Sequence, residues 1–244
     1  MLVLSMRHRP AAAPPVLALA GRQVPLIVRK SQRAKRIALH VDAARAAVEL
    51  VLPKRVALAT GLDFLEERRG WVEERLALMP ERVPFADGAE VPILGVTHRI
   101  RYLGERAAGH RVVERHGREI RVFGPPAHIA RRVRDHLATT AREELARRAK
   151  LLAARLGRRV ARVTVRDTRS RWGSCAASGN LAFSWRLILA PESVLHYVVA
   201  HEVAHLVEMN HSGRFWRIVE ELAPGSARQR AWLRRNRARL FRYG

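Results

Sequence analysis

The segment His201-Glu202-Val203-Ala204-His205 limits what this chain can fold into more than any other part of it. On a helix, side chains four residues apart stand one above the other, so both imidazoles can meet one Zn²⁺ at about 2.0–2.1 Å without backbone strain. Glu202 projects beside them, where its carboxylate can take a proton from a zinc-activated water. The flanks predict a helix over 191–209. Pro191 suits a first turn, Glu192 suits the positive end of the helix dipole, and Asn210 can end the helix in a left-handed conformation.

Two histidines are half a tetrahedral site, and a catalytic zinc takes a third protein ligand while keeping one position open. His211 is the preferred candidate, since a turn at Asn210 can bring it back over the histidine face. Ser212 can then cap a short helix whose Phe215, Trp216, Ile218, Val219 and Leu222 anchor the loop by apolar packing. The alternative third ligands are Glu220 and Glu221 on that same helix.

Upstream, Arg169-Ser170-Arg171-Trp172-Gly173-Ser174-Cys175 is the second unusual stretch. The Trp-Gly pair is expected to pack under the metal helix, with Arg171, Trp172 and Ser174 on the substrate side and the basic residues stabilising developing negative charge. Cys175 is the only cysteine, so the chain has no intramolecular disulfide, and a reducing, cytoplasmic setting is the expectation. A nucleophilic thiol is not needed where a metal supplies the nucleophilic water.

Short strands with turn punctuation are predicted between 24 and 123, suggesting a meander, with a helical interval over 55–79. Residues 1–20 read as a loose tail. Gly124-Pro125-Pro126 marks the expected domain boundary, because two prolines after a glycine continue neither strand nor helix. The domains expected are therefore a β-rich one over 21–125 and a second over 126–244. A long helix over 127–156 carries Val133, Leu137, Leu145, Leu151 and Leu152 on its apolar side. Two strands follow, 160–165 and 181–189, the second of which could offer an edge to an extended peptide. No apolar run approaches the roughly 20 residues that span a bilayer, so no transmembrane helix is expected.

Lys+Arg total 46 against 22 Asp+Glu, a formal charge of +24, and only four of the basic residues are lysine. Such a field attracts nucleic acid or other polyanions. Arginine with abundant alanine is equally the mark of a GC-rich coding sequence, and no nucleic-acid-reading motif accompanies the charge.

Arg171-Trp172-Gly173-Ser174-Cys175, the Tyr197-Val198-Val199 run into the histidine motif, then Asn210-His211-Ser212 and Phe215-Trp216 together resemble the YgjP-like zinc metallopeptidases, relatives of the SprT-like proteases. The resemblance is strongest over 160–222. It implies an α+β chain whose β-rich N-terminal domain precedes a minimal, gluzincin-like zincin domain, with a small sheet packed on the motif-bearing helix. It also implies His201, His205 and His211 as ligands to one Zn²⁺ and Glu202 as catalytic base. The function expected is peptide-bond hydrolysis on a peptide or protein substrate. The alternatives are a metal-dependent nucleotide phosphoanhydride hydrolase (a pyrophosphatase) and a nucleic-acid-binding protein with a structural zinc.

Overall fold

The computed structural model describes residues 16–19, 22–42, 47–105, 111–168 and 170–244. The chain is α+β and divides into two compact units, Met1–Met79 and Pro80–Gly244.

The first unit holds β1 (Val16–Leu19), β2 (Arg22–Ser31), β3 (Ala38–Asp42) and β4 (Ala47–Pro53), then α1 (Leu58–Glu67) and α2 (Arg69–Ala77). The sheet order is β1-β2-β4-β3, with β2 and β4 parallel, so it is not the expected meander. β4 lies between two strands and buries Ala47, Val48, Leu50, Val51 and Leu52, the near-continuous apolar run of a strand covered on both faces. Leu65 and Val72 close over Leu26, Leu50 and Leu52. Gly61 permits the approach of α1, since a Cβ there would lie 2.5 Å from Leu52 Cδ2. Of the expected tail, 1–15 and 20 lie outside the described residues, and Val16–Leu19 is an edge strand.

The second unit opens with β5 (Glu90–Ile93), β6 (Val96–Tyr102), β7 (Val113–His116) and β8 (Glu119–Val122), ordered β5-β6-β8-β7. It continues with α3 (Ile129–Arg155), then β9 (Arg162–Arg166), β10 (Gly173–Cys175) and β11 (Asn180–Ser184), and ends in α4 (Glu192–Ala204), α5 (Gly213–Leu222) and α6 (Ser226–Phe241). Val91, Ile93, Ile100, Ile120 and Val122 share one core with α3 and α4. The division therefore falls at Met79/Pro80 and not at the Gly-Pro-Pro break. That break only turns the chain from β8 into α3, whose Val133, Leu137, Ala141, Leu145, Ala149 and Leu152 form the buried stripe, while Leu151 faces outward.

Two features set the position of α4. Arg148 of α3 donates from Nη2 to Glu192 Oε1 at 2.6 Å and from Nε to Glu144 Oε2 at 3.1 Å, pinning the first turn of α4 to α3. At the β5–β6 turn, Leu94 adopts φ 51 and its N–H donates to the Ile188 carbonyl at 2.7 Å, just ahead of α4.

β11 is the central strand of β10-β11-β9, antiparallel to β10 and parallel to β9, so it offers no edge to a peptide. The edge strands are β10 and β9. The expected strand over 181–189 also stops early, at Ser184, and Trp185–Leu189 is a 3-10 turn. All five of its residues are buried, which a strand that alternates its faces could achieve only with cover on both sides.

Arg186, 7% exposed, lies in that turn. Its Nη1 donates to the Tyr243 carbonyl at 2.7 Å and its Nε to Asp167 Oδ1 at 3.2 Å, while its guanidinium sits 5.1 Å from the Phe241 ring centroid. It thereby fastens the end of α6, which Val83 grips from the other side through a bridge to Tyr243. Arg186→Met should cost about 1–3 kcal/mol of stability by removing charge-assisted bonds and leaving the part-buried Tyr243 carbonyl without its donor. Urea unfolding of the full chain measures this, and an unchanged midpoint would contradict it.

Candidate metal centre

His201 and Glu202 occupy the last turn of α4 and His205 is its C-cap residue, with φ −65 and ψ −17. The motif thus ends the helix instead of lying in its middle, as a helix over 191–209 would require. Asn210 has no left-handed backbone; its Oδ1 accepts the Ser212 N–H at 2.9 Å. Ser212 Oγ in turn accepts the Phe215 N–H at 3.3 Å and caps α5, as its place in the sequence predicts. Leu206 N–H to Val203 O, at 2.9 Å, and Glu208 N–H to Ala204 O, at 3.0 Å, close the tight turn that reverses the chain. His211 comes back over the end of α4.

The three imidazoles converge. Among the described residues, His201, His205 and His211 form the group of metal-ligating side chains whose donor atoms all lie within 4.8 Å of one another. His211 Nε2 is 3.2 Å from His201 Nε2. His205 Nδ1 is 3.0 Å from the Glu208 carbonyl, which can only accept, so Nδ1 carries the proton and Nε2 keeps its lone pair for a metal. Burial, with His205, His211 and Arg230 close by, holds His201 down at about 4, so that it is a neutral ligand near neutral pH. This donor set fits a zinc-type ion. Fully buried Phe215 lies beneath all three rings, its centroid 4.9 Å from His201, 4.5 Å from His205 and 4.7 Å from His211.

Neither alternative third ligand joins them. Glu220 accepts from Gly225 N, at 2.6 Å, and from Ser226 Oγ, at 2.8 Å, and so caps α6. Glu221 is exposed and lies outside the metal-ligating group.

Glu202, 5% exposed, packs against β10. A Cβ on Gly173 would lie 2.5 Å from Glu202 Oε1 and 2.6 Å from its Cγ, so only glycine leaves the carboxylate its place. Burial pushes this carboxyl up to about 7, with Arg171 pulling the other way. A cavity of about 310 Å³ opens beside Glu202 and His201, walled by Trp172 and Gly173, by Tyr197 of α4, and by Arg230, Leu233 and Arg234 of α6.

Of the three expected substrate-side residues, Trp172 lines this cavity and its ring lies 5.5 Å from Phe241. Arg171 is exposed and acts on Glu202 through its charge. Ser174 is half-buried on β10, paired with Ala182, and is not part of the lining. Burial and Glu202 push the Cys175 thiol up to about 11, which leaves it a poor nucleophile. The arginines of α6 were not among the expected site residues. Their signal is the spacing Arg230, Arg234, Arg237 around Leu233, which puts cations on the rim of a buried face.

Residues 35–236 match the YgjP-like, metallopeptidase domain family. The match covers most of the chain, which belongs to the YgjP-like metallopeptidases. In its second unit the small sheet β10-β11-β9 packs on the helix that bears the histidine motif. A comparison with curated proteins found no match. Among solved structures, the chain is similar to the crystal structure of the metallopeptidase zymogen of Pyrococcus abyssi abylysin, at 24% identity and a TM-score of 0.33, over 39% of this chain and 94% of that one.

Gly173→Ala tests the close approach of β10 to α4. The added methyl should displace the Glu202 carboxylate and lower peptidase activity at least about ten-fold while all three histidines still hold metal. Metal content and turnover measured on one preparation decide it; full activity would show that the carboxylate need not lie there.

Proposed function

We propose that this chain is a zinc peptidase in which His201, His205 and His211 hold one Zn²⁺ and Glu202 is the general base. The observation that carries this reading is the convergence of three imidazoles, one of which, His201, shares a cavity with the buried Glu202 carboxylate. Zinc bound there would supply Lewis acidity, polarising the scissile carbonyl and lowering the pKa of water.

The chain's own residues do the rest. Glu202 accepts a proton from the water that attacks the carbonyl carbon, and returns it to the amide nitrogen as the C–N bond breaks. Its burial favours the protonated form, and a proton affinity near neutrality suits a group that must both take and give. Trp172 gives the substrate an apolar wall, and Arg171 lies where its charge offsets negative charge developing near Glu202. A structural zinc usually takes four protein ligands and has no adjacent base, whereas three histidines and a buried glutamate match a catalytic site.

Two measurements test this. The purified protein should carry about one Zn²⁺ per chain, as three-ligand catalytic sites do, and His211→Ala should lose it. Retention of zinc by that variant, with loss in Glu220→Ala or Glu221→Ala, would overturn the ligand set. Glu202→Gln keeps size and most hydrogen bonding but cannot take the proton, so turnover should fall about 10²–10⁴-fold with zinc still bound. Undiminished hydrolysis by a zinc-loaded Gln variant would refute the role of Glu202.

A further inference from the structure

The cavity beside Glu202 has a counterpart on the other side of the histidines. A second space of about 310 Å³ is lined by His205, Ala176, Gly179, Arg158 and Arg159. The rings of His201, in the first cavity, and His205, in the second, are only 5.1 Å apart between centroids, so the two open on either side of one metal centre. β10 joins them: Gly173 lines the first, and Ala176, the residue after its last, lines the second. An extended chain advances about 3.3 Å per residue, so a peptide alongside β10 reaches from one cavity to the other within a few residues.

Each cavity carries two exposed arginines: Arg230 and Arg234 in the first, Arg158 and Arg159 in the second. Among the described residues, none of the four has an ion-pair partner. Glu202 is the one carboxylate among the residues lining the first cavity, it is buried against β10, and no carboxylate is among those lining the second. Arg230 holds its guanidinium over the Trp216 ring, 5.0 Å from the centroid, which leaves its N–H edge free for a carboxylate.

We propose that the cleft takes a segment of acidic polypeptide, with carboxylate side chains on both sides of the bond to be cut, one received by Arg230 and Arg234 and the other by Arg158 and Arg159. The inference rests on the peptidase reading and names its substrate class. A chain terminus could satisfy one arginine pair only; carboxylates on both sides require an internal segment. Trp172 and Leu233 give the first cavity an apolar wall against which the methylenes of a glutamate side chain can lie.

The test uses labelled peptides, acetylated and amidated at their ends, with glutamates on both sides of a central apolar pair or with glutamines in their place. Binding to zinc-loaded Glu202→Gln full-length protein is read by fluorescence anisotropy at about 0.15 M salt, where nonspecific attraction is screened. The glutamate peptide should bind at least about ten-fold tighter, as charge-assisted bonds require. Arg230→Gln with Arg234→Gln should abolish the preference on one side of the peptide, and Arg158→Gln with Arg159→Gln on the other. Equal binding of both peptides, a preference that survives both double variants, or a gain on removing the terminal amide that exceeds the side-chain effect would overturn the inference. So would tighter binding of a single-stranded oligonucleotide, which would make the cleft a phosphate groove. Wild-type protein separates the two readings: cleavage of both peptides at equal rates sinks the acidic preference and leaves the peptidase. The binding pattern without any cleavage sinks the peptidase and leaves the acidic cleft.

Discussion

β10 and α4 meet so closely that the side chain of Glu202 fills the space a Cβ on Gly173 would take. The rest of the site follows from that contact. It buries the carboxylate, and burial raises its proton affinity. It also places the exposed edge of a three-residue strand directly beside the metal-ligating face. The surrounding elements hold α4 at that distance: α3 through Arg148, and the β5–β6 turn through the Leu94 N–H on Ile188. α6 is fastened by Arg186 and closes the far wall of the cavity.

The histidine cluster depends on a second arrangement, the abrupt end of α4. Had the helix continued, His211 would have been carried away along its axis, because each residue advances about 1.5 Å. Instead the chain reverses after His205, Asn210 and Ser212 shape the return through their own side chains, and Phe215 supplies one apolar floor for all three imidazoles. Burial keeps the His201 ring neutral, as a ligand must be. Charge is arranged in the opposite sense outside, where arginines line the cavities on either side.

Local chemistry was legible in the sequence and long-range placement was not. The helical pairing of His201 with His205, the return of His211 and the cap by Ser212 all follow from spacing within a dozen residues, and each has its counterpart in the structure. The length of α4 was overestimated because the apolar residues beyond His205 continue a helical rhythm that the turn overrides. β11 read as a possible edge because an apolar strand carries no mark of how many neighbours it has; its place between β10 and β9 is set by pairing with residues far along the chain. The Gly-Pro-Pro break ended an element without ending a domain, since the strands before it contribute to the same core as α3. α6 carries little sequence signal, because its buried hydrophobic residues, Leu233, Leu240 and Phe241, are scattered among arginines and show weak periodicity.

The three-histidine centre is tested most directly by zinc X-ray absorption on the zinc-loaded full-length protein. Scattering from three imidazole rings and no sulfur is the expected result, with Cys175 left out of the coordination. Two imidazoles with a thiolate or a carboxylate in the third place would contradict the convergence of His201, His205 and His211 on one ion.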